Sequence, residues 1–270
     1  MKDRLASLTS PASRTARAIA AAVVGCLTLM ALGGLAHSAG PSYAAAETAS
    51  GSVDSSATTA SPKPLPLQMK HVGNAKQLLI ATGRRIGDTT GTLQFFDYEN
   101  GSWVCTLSVP ARFGKHGLMD GAHRWAGNKT TPTGLWKMPS FVFGNHAHAP
   151  KGTKEGYRHI DKKSWWSSQH DKTYNTWVEA RHWPGEHLYY VSPQYEYAIS
   201  IGYNALPNHQ VYGRGSGIFL HINGKGFTAG CVSISRANML RVVSLLDPKK
   251  HPAFAVGTLA TGTPTSIWAY

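Results

Sequence analysis

The sequence predicts a mainly β fold with one helix near its C-terminal end. Short runs rich in Val, Ile, Leu, Tyr and Phe recur from residue 77 onwards, and Gly, Asp and Asn separate them. The turn Glu99-Asn100-Gly101 between two such runs is typical of a β-hairpin. One late segment, 236–247, instead repeats its apolar side chains at helical spacing. These patterns together indicate many short strands and a single helix.

The N-terminal segment has the layout of a secretory signal peptide. Four basic residues occur before position 18, an alanine-rich apolar segment continues to about residue 36, and small residues follow. We predict a signal peptide over 1–39 whose removal leaves an exported protein, outside the cytoplasm and either secreted or associated with the cell wall. The alternative is a retained transmembrane anchor, because about 18 apolar residues can span a bilayer.

The segment 40–69 is rich in Ser, Thr, Ala and Pro and contains few large apolar side chains. Because such a sequence cannot bury enough apolar surface to fold, we predict a disordered linker. Residues 70–270 then form one domain, which is long enough to bury a single core.

The domain is expected to begin with three strands that tight turns join in antiparallel order. Every second residue of the run 197–203 is Tyr or Ile, so these side chains are expected on one face of a strand. Ser235 is suited to cap the helix and Pro248 to end it. The predicted strands are 77–81, 92–98, 103–110, 135–143, 176–178, 188–191, 197–203, 218–220, 232–234 and 254–259.

The formal net charge of +13 favours binding to polyanions. The Lys and Arg residues are scattered along the chain, and no motif for nucleic-acid binding accompanies them. We therefore expect no nucleic-acid partner. An anionic cell wall and a membrane surface fit the charge equally well.

Candidate catalytic residues are concentrated in the segment 217–235, GIFLHINGKGFTAGCVSIS. An apolar run leads to His221, a glycine-rich loop follows, and Cys231 precedes the next apolar run, so the two side chains can meet. A nearby imidazole activates a thiol as a nucleophile, and the backbone amides at Gly230 and Cys231 are suited to bind an oxyanion. This pattern suits acyl transfer. The alternative is that Cys231 is a small buried apolar side chain and His221 a hydrogen-bonded core histidine.

Cys26 lies in the predicted signal peptide, which leaves Cys105 and Cys231 in the exported protein. In an oxidising compartment such a pair often forms a disulfide. Cys105, however, lies in a strand-like run, and a domain of this size does not depend on a single bridge. We expect a free thiol at Cys231, with the disulfide as the alternative.

Three motifs in order resemble the L,D-transpeptidase catalytic domain of YkuD type, found in bacterial cell-wall enzymes. They are TTPTG at 130–134, YAISIGYN at 197–204 and GIFLHINGKGFTAGCVSI at 217–234, followed by a helix. The resemblance covers roughly residues 75–262. It implies a β-sandwich-like fold with Cys231 as nucleophile and His221 as its base. The backbone amides of Gly230 and Cys231 would then form the oxyanion hole.

The resemblance also implies a substrate and a reaction. The thiolate would attack the carbonyl of the third residue of a peptidoglycan stem tetrapeptide, and an amine of another stem would take up the acyl group in a 3-3 cross-link. Attack by water would instead make the protein an L,D-carboxypeptidase. A catalytically weak wall-binding module of the same fold and a cysteine hydrolase of another amide are further alternatives. No cofactor or metal is needed.

The chain departs from the family pattern in two places. Family members commonly read Ser/Thr-His-Gly-Cys, whereas Ala229 stands here where the histidine would be, and the loop from His221 to Cys231 is shorter. The Asn or Arg that often follows the family's cysteine is replaced by Ser233, with Arg236 further on. We take Ser233, Arg236 and Asn204 as candidate substrate-binding residues.

Two other patterns are given structural interpretations. His146 and His148 form a His-x-His pair without a third metal ligand at a useful spacing, so we expect an exposed loop and no metal site. Four tryptophans are interleaved with basic residues, and we expect most of them to pack and one or two to border a substrate groove. These are Trp165, Trp166, Trp177 and Trp183.

Overall fold

The structure is a computed structural model that describes residues 63–270. The predicted signal peptide and the first part of the predicted linker lie outside the described residues. A short 3-10 helix, Leu65–Leu67, and the buried side chain of Met69 lie within the segment predicted as linker. Met69 packs in an apolar cluster with Trp103, so ordered structure begins before residue 70. None of the helices in the described part has the length and apolar character needed to cross a membrane.

The described residues confirm the mainly β fold with one α-helix late in the chain. Short 3-10 helices occupy Leu188–Tyr190, Gln194–Glu196, Pro248–Lys250 and Ile267–Ala269. The other elements are β1 (Gln77–Gly83), β2 (Thr90–Glu99), β3 (Ser102–Arg112), β4 (Leu118–Asp120), β5 (Thr131–Lys137), β6 (Phe141–Gly144), β7 (Gly156–His159), β8 (Ser164–Ser167), β9 (Trp177–Glu179), β10 (Gly185–His187), β11 (Ala198–Ser200), β12 (Phe219–Ile222), β13 (Val232–Ile234), α1 (Arg236–Leu245) and β14 (Ala253–Thr258).

The strands form two sheets. Eleven strands pair in the order β4-β5-β14-β1-β2-β3-β13-β12-β11-β6-β7, and a small sheet has the order β10-β8-β9. The first three strands are antiparallel, as predicted, and Asn100 and Gly101 in the turn between β2 and β3 have φ angles of 49° and 82°. Positive φ at both positions is the geometry that an Asn-Gly hairpin favours. Strands β12 and β13, which flank the glycine-rich loop 223–230, are parallel neighbours.

The large sheet curves so that its two halves enclose one core. Side chains from β1, β2, β3 and β14 share a buried apolar cluster with side chains from β11, β12, β13 and α1. This enclosure gives the domain its sandwich-like character. Tyr197, Ile199, Ile201 and Tyr203 all belong to that cluster, which confirms that they point to one face.

Three predicted strands are wrong in detail. The run 197–203 is a strand only over Ala198–Ser200. The run 135–143 is divided between β5 and β6, with Pro139 between them. Proline has no N–H to donate to a strand ladder, which favours a break between the two strands at this position. The run 188–191 contains a 3-10 helix, with Leu188 buried and Tyr189 and Tyr190 exposed. Its apolar residues therefore do not alternate between two faces as a strand requires.

The helix prediction is confirmed at its start and shortened at its end. The Ser235 hydroxyl accepts a hydrogen bond from the Asn238 amide, the contact that defines an N-cap. Helix α1 ends at Leu245, and Pro248 opens the next 3-10 helix. Met239, Val242 and Val243 point into the main core, so the helix covers one end of the curved sheet.

Candidate active site

Parallel pairing of β12 and β13 places the predicted catalytic residues on one face of the sheet. Leu220 lies opposite Val232 and His221 lies opposite Ser233. Leu220 and Val232 point into the main core, whereas Phe219 and Cys231 belong to a second apolar cluster. Because side chains alternate along a strand, His221 shares its face with Cys231.

A pocket of about 470 Å³ opens at this face, and both His221 and Cys231 line it. We call these two residues the strand wall. Glu186 and Tyr195 line the pocket from outside the large sheet and are called the outer wall. Arg124 and the exposed Ala229 also contribute to the lining. The pocket therefore contains a thiol, an imidazole, a carboxyl group and a guanidinium group.

His221 is held in the state that can accept a proton. Its Nδ1 lies 2.8 Å from the carbonyl oxygen of Ile222, and a carbonyl only accepts, so Nδ1 carries the hydrogen. The Nε2 lone pair is then available as a base. Burial lowers the pKa of His221, which keeps the ring neutral before the reaction.

The Cys231 thiol is buried and protonated in the empty pocket. Its Sγ donates to the Gly217 carbonyl at 3.5 Å and accepts from the Phe219 amide at 3.4 Å. Burial, followed by the charge of Glu186, raises the pKa of this thiol to about 12, while the Phe219 amide and Arg124 act in the opposite direction. Cys231 is a free thiol in this structure. A base must therefore take its proton before it can act as a nucleophile.

Gly230, just before the cysteine, is a position where only glycine fits. Its φ is 136°, and an added Cβ would lie 2.8 Å from both Arg124 Nη2 and the Thr130 carbonyl oxygen. The Gly230 amide, which we expected in an oxyanion hole, donates to Thr228 Oγ1 at 3.1 Å. This amide is thus already engaged. The Thr228 hydroxyl also donates to the Cys231 carbonyl at 2.7 Å, which fixes the backbone at this cysteine.

Arg124 was not predicted from the sequence, although it is buried and lines the same pocket as Cys231. Its Nε donates to the Thr130 carbonyl at 2.9 Å and its Nη1 donates to the Arg214 carbonyl at 2.8 Å. These bonds hold the guanidinium rigidly, with Nη2 against Gly230. No motif distinguishes Arg124 from the other basic residues of the chain, so sequence patterns alone could not identify it.

The two residues of the outer wall, Glu186 and Tyr195, were also not predicted from the sequence. Tyr195 is buried, and its hydroxyl donates to Glu186 Oε1 at 2.8 Å. Its ring stands edge-on to the ring of His221, with the centroids 5.6 Å apart. Glu186 is exposed to the pocket, yet desolvation by the surrounding protein raises its pKa. Both residues lie in the irregular part of the sequence, where no periodicity or spacing marks them.

None of the three residues predicted to contact substrate lines this pocket. Ser233 is buried and donates to Asn223 Oδ1 at 2.8 Å. Arg236 forms an ion pair with Glu196, with Nε 2.7 Å from Oε2. Asn204 has φ of 51°, and its side-chain amide holds the Gly215 carbonyl at 2.8 Å, so it stabilises a loop instead.

The His-x-His pair and the tryptophans are the remaining sequence motifs. His146 Nε2 lies 2.9 Å from Glu196 Oε1, and among residues 63–270 no group of three His, Cys, Asp or Glu side chains is arranged to hold a metal. Trp165 and Trp166 are buried, in agreement with the packing interpretation, whereas Trp183 is 80% exposed. Trp166 packs against Phe219, with the ring centroids 4.8 Å apart, and so supports the strand that carries His221.

Comparison with known families agrees with this geometry. Residues 74–267 match the family model YkuD, the L,D-transpeptidase catalytic domain. The matched segment contains both walls of the pocket, including Cys231 and His221. A search of curated proteins found no similar sequence. Because the family match covers most of the chain, the protein belongs to the L,D-transpeptidase catalytic domain family, whose substrate is the peptidoglycan of the bacterial cell wall.

Proposed function

We propose that this protein is an exported peptidoglycan L,D-transpeptidase that forms a thioester on Cys231. The observation that carries the proposal is the shared pocket of Cys231 and His221, with the imidazole held as the Nδ1–H tautomer. A neutral imidazole with a free Nε2 is the state that a general base requires. The signal-like sequence at 1–39 and the net charge of +13 support export to an anionic cell wall.

In the first half-reaction, Sγ of Cys231 attacks the carbonyl carbon of the third residue of a stem tetrapeptide. The thiol proton passes to Nε2 of His221 as the carbon–sulfur bond forms. When the tetrahedral intermediate collapses, the bond to the fourth residue breaks, and His221 returns the proton to the departing D-alanine amine. The product is a thioester between Cys231 and the shortened stem.

The negative charge of the tetrahedral intermediate must be stabilised by hydrogen-bond donors close to the Cys231 thiol. Arg124 Nη2 lies against Gly230, and two backbone carbonyls already fix this guanidinium, so it needs no reorganisation to meet a developing oxyanion. The Cys231 amide is the second donor in this proposal. The Gly230 amide takes part only after its bond to Thr228 breaks.

In the second half-reaction, a side-chain amine on the third residue of another stem attacks the thioester. His221 accepts the proton that the amine loses, a new amide bond forms, and the thiol leaves with that proton. Water in place of the amine would give hydrolysis, which is the carboxypeptidase alternative.

A weakly catalytic wall-binding module is the second candidate function. It is favoured by the raised pKa of the Cys231 thiol and by Ala229, where family members commonly have a histidine. Such a module would bind stem peptides through the same pocket without forming a thioester at a useful rate.

The two candidates are separated by intact-mass measurement of the folded, reduced protein after addition of a carbapenem. A catalytic thiol opens the β-lactam ring and retains the adduct, so we expect one adduct on the wild type and none on Cys231→Ala. Cys105→Ala is the matched control and is expected to react like the wild type. Absence of an adduct on the folded wild type would favour the binding module.

A tetrapeptide donor then separates transpeptidation from hydrolysis, because cross-linked and trimmed products differ in mass.

A further inference from the structure

Glu186 is the one acidic side chain among the described residues that line the catalytic pocket. The other charged lining groups are Arg124 and Lys225, both cationic. Glu186 comes from β10 of the small sheet, outside the large sheet that contributes the strand wall. An isolated carboxylate in a pocket that also holds the nucleophile can select substrates by charge.

The Glu186 carboxylate is fixed in place without a cationic partner. Oε1 accepts the Tyr195 hydroxyl, and none of the ion pairs within residues 63–270 includes Glu186. The other oxygen, Oε2, lies beside Gly217, because a Cβ built on that glycine would be 3.1 Å away. The Gly217 carbonyl is the group that accepts the proton of the Cys231 thiol. Glu186 is therefore held on the pocket lining close to the resting thiol.

We propose that Glu186 binds the side-chain ammonium group of the third residue of the donor stem, and that this binding activates Cys231. Without a ligand, the carboxylate opposes the negative charge that a thiolate would carry. A bound ammonium group neutralises Glu186 and leaves the cationic Arg124 as the dominant neighbour of the sulfur. The thiol then passes its proton more readily to His221.

The electrostatics of the pocket support this coupling. A nearby like charge disfavours the ionised form of a group, and an opposite charge favours it. Burial is the largest cause of the raised pKa of the Cys231 thiol, and the charge of Glu186 is the second. Arg124 acts in the opposite direction and lowers this pKa. Two titratable groups face Glu186: Tyr195, whose hydroxyl donates to it, and Cys231. The other titratable groups of the pocket lining are His221, Arg124 and Lys225. The ammonium group of the ligand would be the first cation to contact the Glu186 carboxylate.

The inference rests on the proposed function, because the donor stem supplies the ammonium group, but its test does not require turnover. The rate at which iodoacetamide alkylates Cys231 reports the thiolate fraction. It is measured on the folded chain by site-resolved mass spectrometry, from pH 7 to pH 10. The probes are Nα-acetyl-lysine amide, which keeps the ammonium group, and its Nε-acetylated twin, which does not.

We expect the amine probe to lower the apparent pKa of the thiol and to raise the alkylation rate at pH 8 by about threefold, since solvent in the pocket screens part of the effect. The acetylated twin should have no such effect. Glu186→Gln should raise the rate without any probe and abolish the response to the amine. Glu179→Gln, which alters an exposed carboxylate of the same small sheet, should respond like the wild type.

An equal amine response in Glu186→Gln and the wild type would contradict the inference. So would no response of the wild type at about 50 mM probe, which is enough to detect millimolar binding. The wild-type measurement needs no variant, so it stands even where a variant fails to fold. Carbapenem acylation without an amine response would overturn only this inference, whereas an amine response without acylation would overturn only the proposed function.

Discussion

The two walls of the pocket differ in how they are built. His221 lies in β12 and Cys231 directly precedes the neighbouring strand β13, so the backbone ladder between these strands sets their separation. Glu186 and Tyr195 come instead from the small sheet and from a 3-10 helix, and a single side-chain hydrogen bond joins them. Rigid elements hold reacting groups more accurately than loops do. The strand wall therefore suits the chemical step, and the outer wall suits the tuning of that step by a ligand.

The largest effect is expected on the strand wall. His221→Gln removes the general base while the sheet remains intact, so acylation by a carbapenem should fall by about 10²- to 10⁴-fold. Stopped-flow or intact-mass kinetics would measure it. His146→Gln changes a histidine outside the pocket lining and should retain the wild-type rate. Equal rates for His221→Gln and the wild type would assign the base to another group.

The pH dependence of the free thiol tests how strongly the pocket suppresses the thiolate. Because the folded-state pKa of Cys231 is raised to about 12, the thiolate fraction lies far below saturation at neutral pH. Below that pKa each unit of pH changes the fraction about tenfold. Iodoacetamide alkylation of the empty wild type should therefore rise about 100-fold from pH 7 to pH 9. A plateau below pH 9 would show that the resting pocket already favours the thiolate.

Gly230→Ala tests whether the strand wall depends on its backbone. The new Cβ would meet Arg124 and the Thr130 carbonyl at a positive φ, so we expect a loss of about 1 to 3 kcal/mol in the free energy of unfolding. Denaturant titration measures this loss. Gly87 has open space around it and serves as the control, since Gly87→Ala should leave stability almost unchanged. Matching stabilities of the two variants would contradict the close packing at Gly230.

Tyr195→Phe tests the outer wall with a smaller expected effect. Loss of one hydrogen bond to Glu186 should cost about 1 kcal/mol of stability, and carbapenem acylation should change less than tenfold. The exposed Tyr190 is the matched control, because Tyr190→Phe removes a hydroxyl in contact with solvent. A loss of acylation as large as that of His221→Gln would remove the distinction between the two walls.

Ala229→His gives the smallest expected effect. Ala229 is exposed at the pocket rim, so a histidine fits there without repacking the core. Since His221 is the proposed base, restoring the family residue should change carbapenem acylation by less than about threefold, within the range of surface substitutions. Acylation kinetics and a thermal melt would measure both outcomes. An increase of 100-fold or more would instead make Ala229 the reason for a weak catalyst.

Much of the fold follows from local sequence patterns. The alternation in β11, β12 and β13, the Asn-Gly turn and the cap at Ser235 each depend on residues close together in the chain. Such patterns report backbone geometry directly, so they predicted most strands and the helix. They failed where a local feature opposed the apolar pattern, as at Pro139, which divides the run 135–143.

The residues of the candidate site likewise divide into those that local sequence patterns predicted and those that they did not. His221 and Cys231 could be predicted because one short segment contains both residues and the strands that align them. Arg124 reaches the pocket from one segment and Glu186 and Tyr195 from another, both distant from Cys231 in sequence, and their positions depend on how the sheets and loops pack together. The sequence by itself determined the mainly β fold and the cysteine–histidine pair, since both arise from local periodicity and spacing. Only the tertiary structure decided the charges around the thiol, because contacts between distant segments depend on packing that no local pattern encodes.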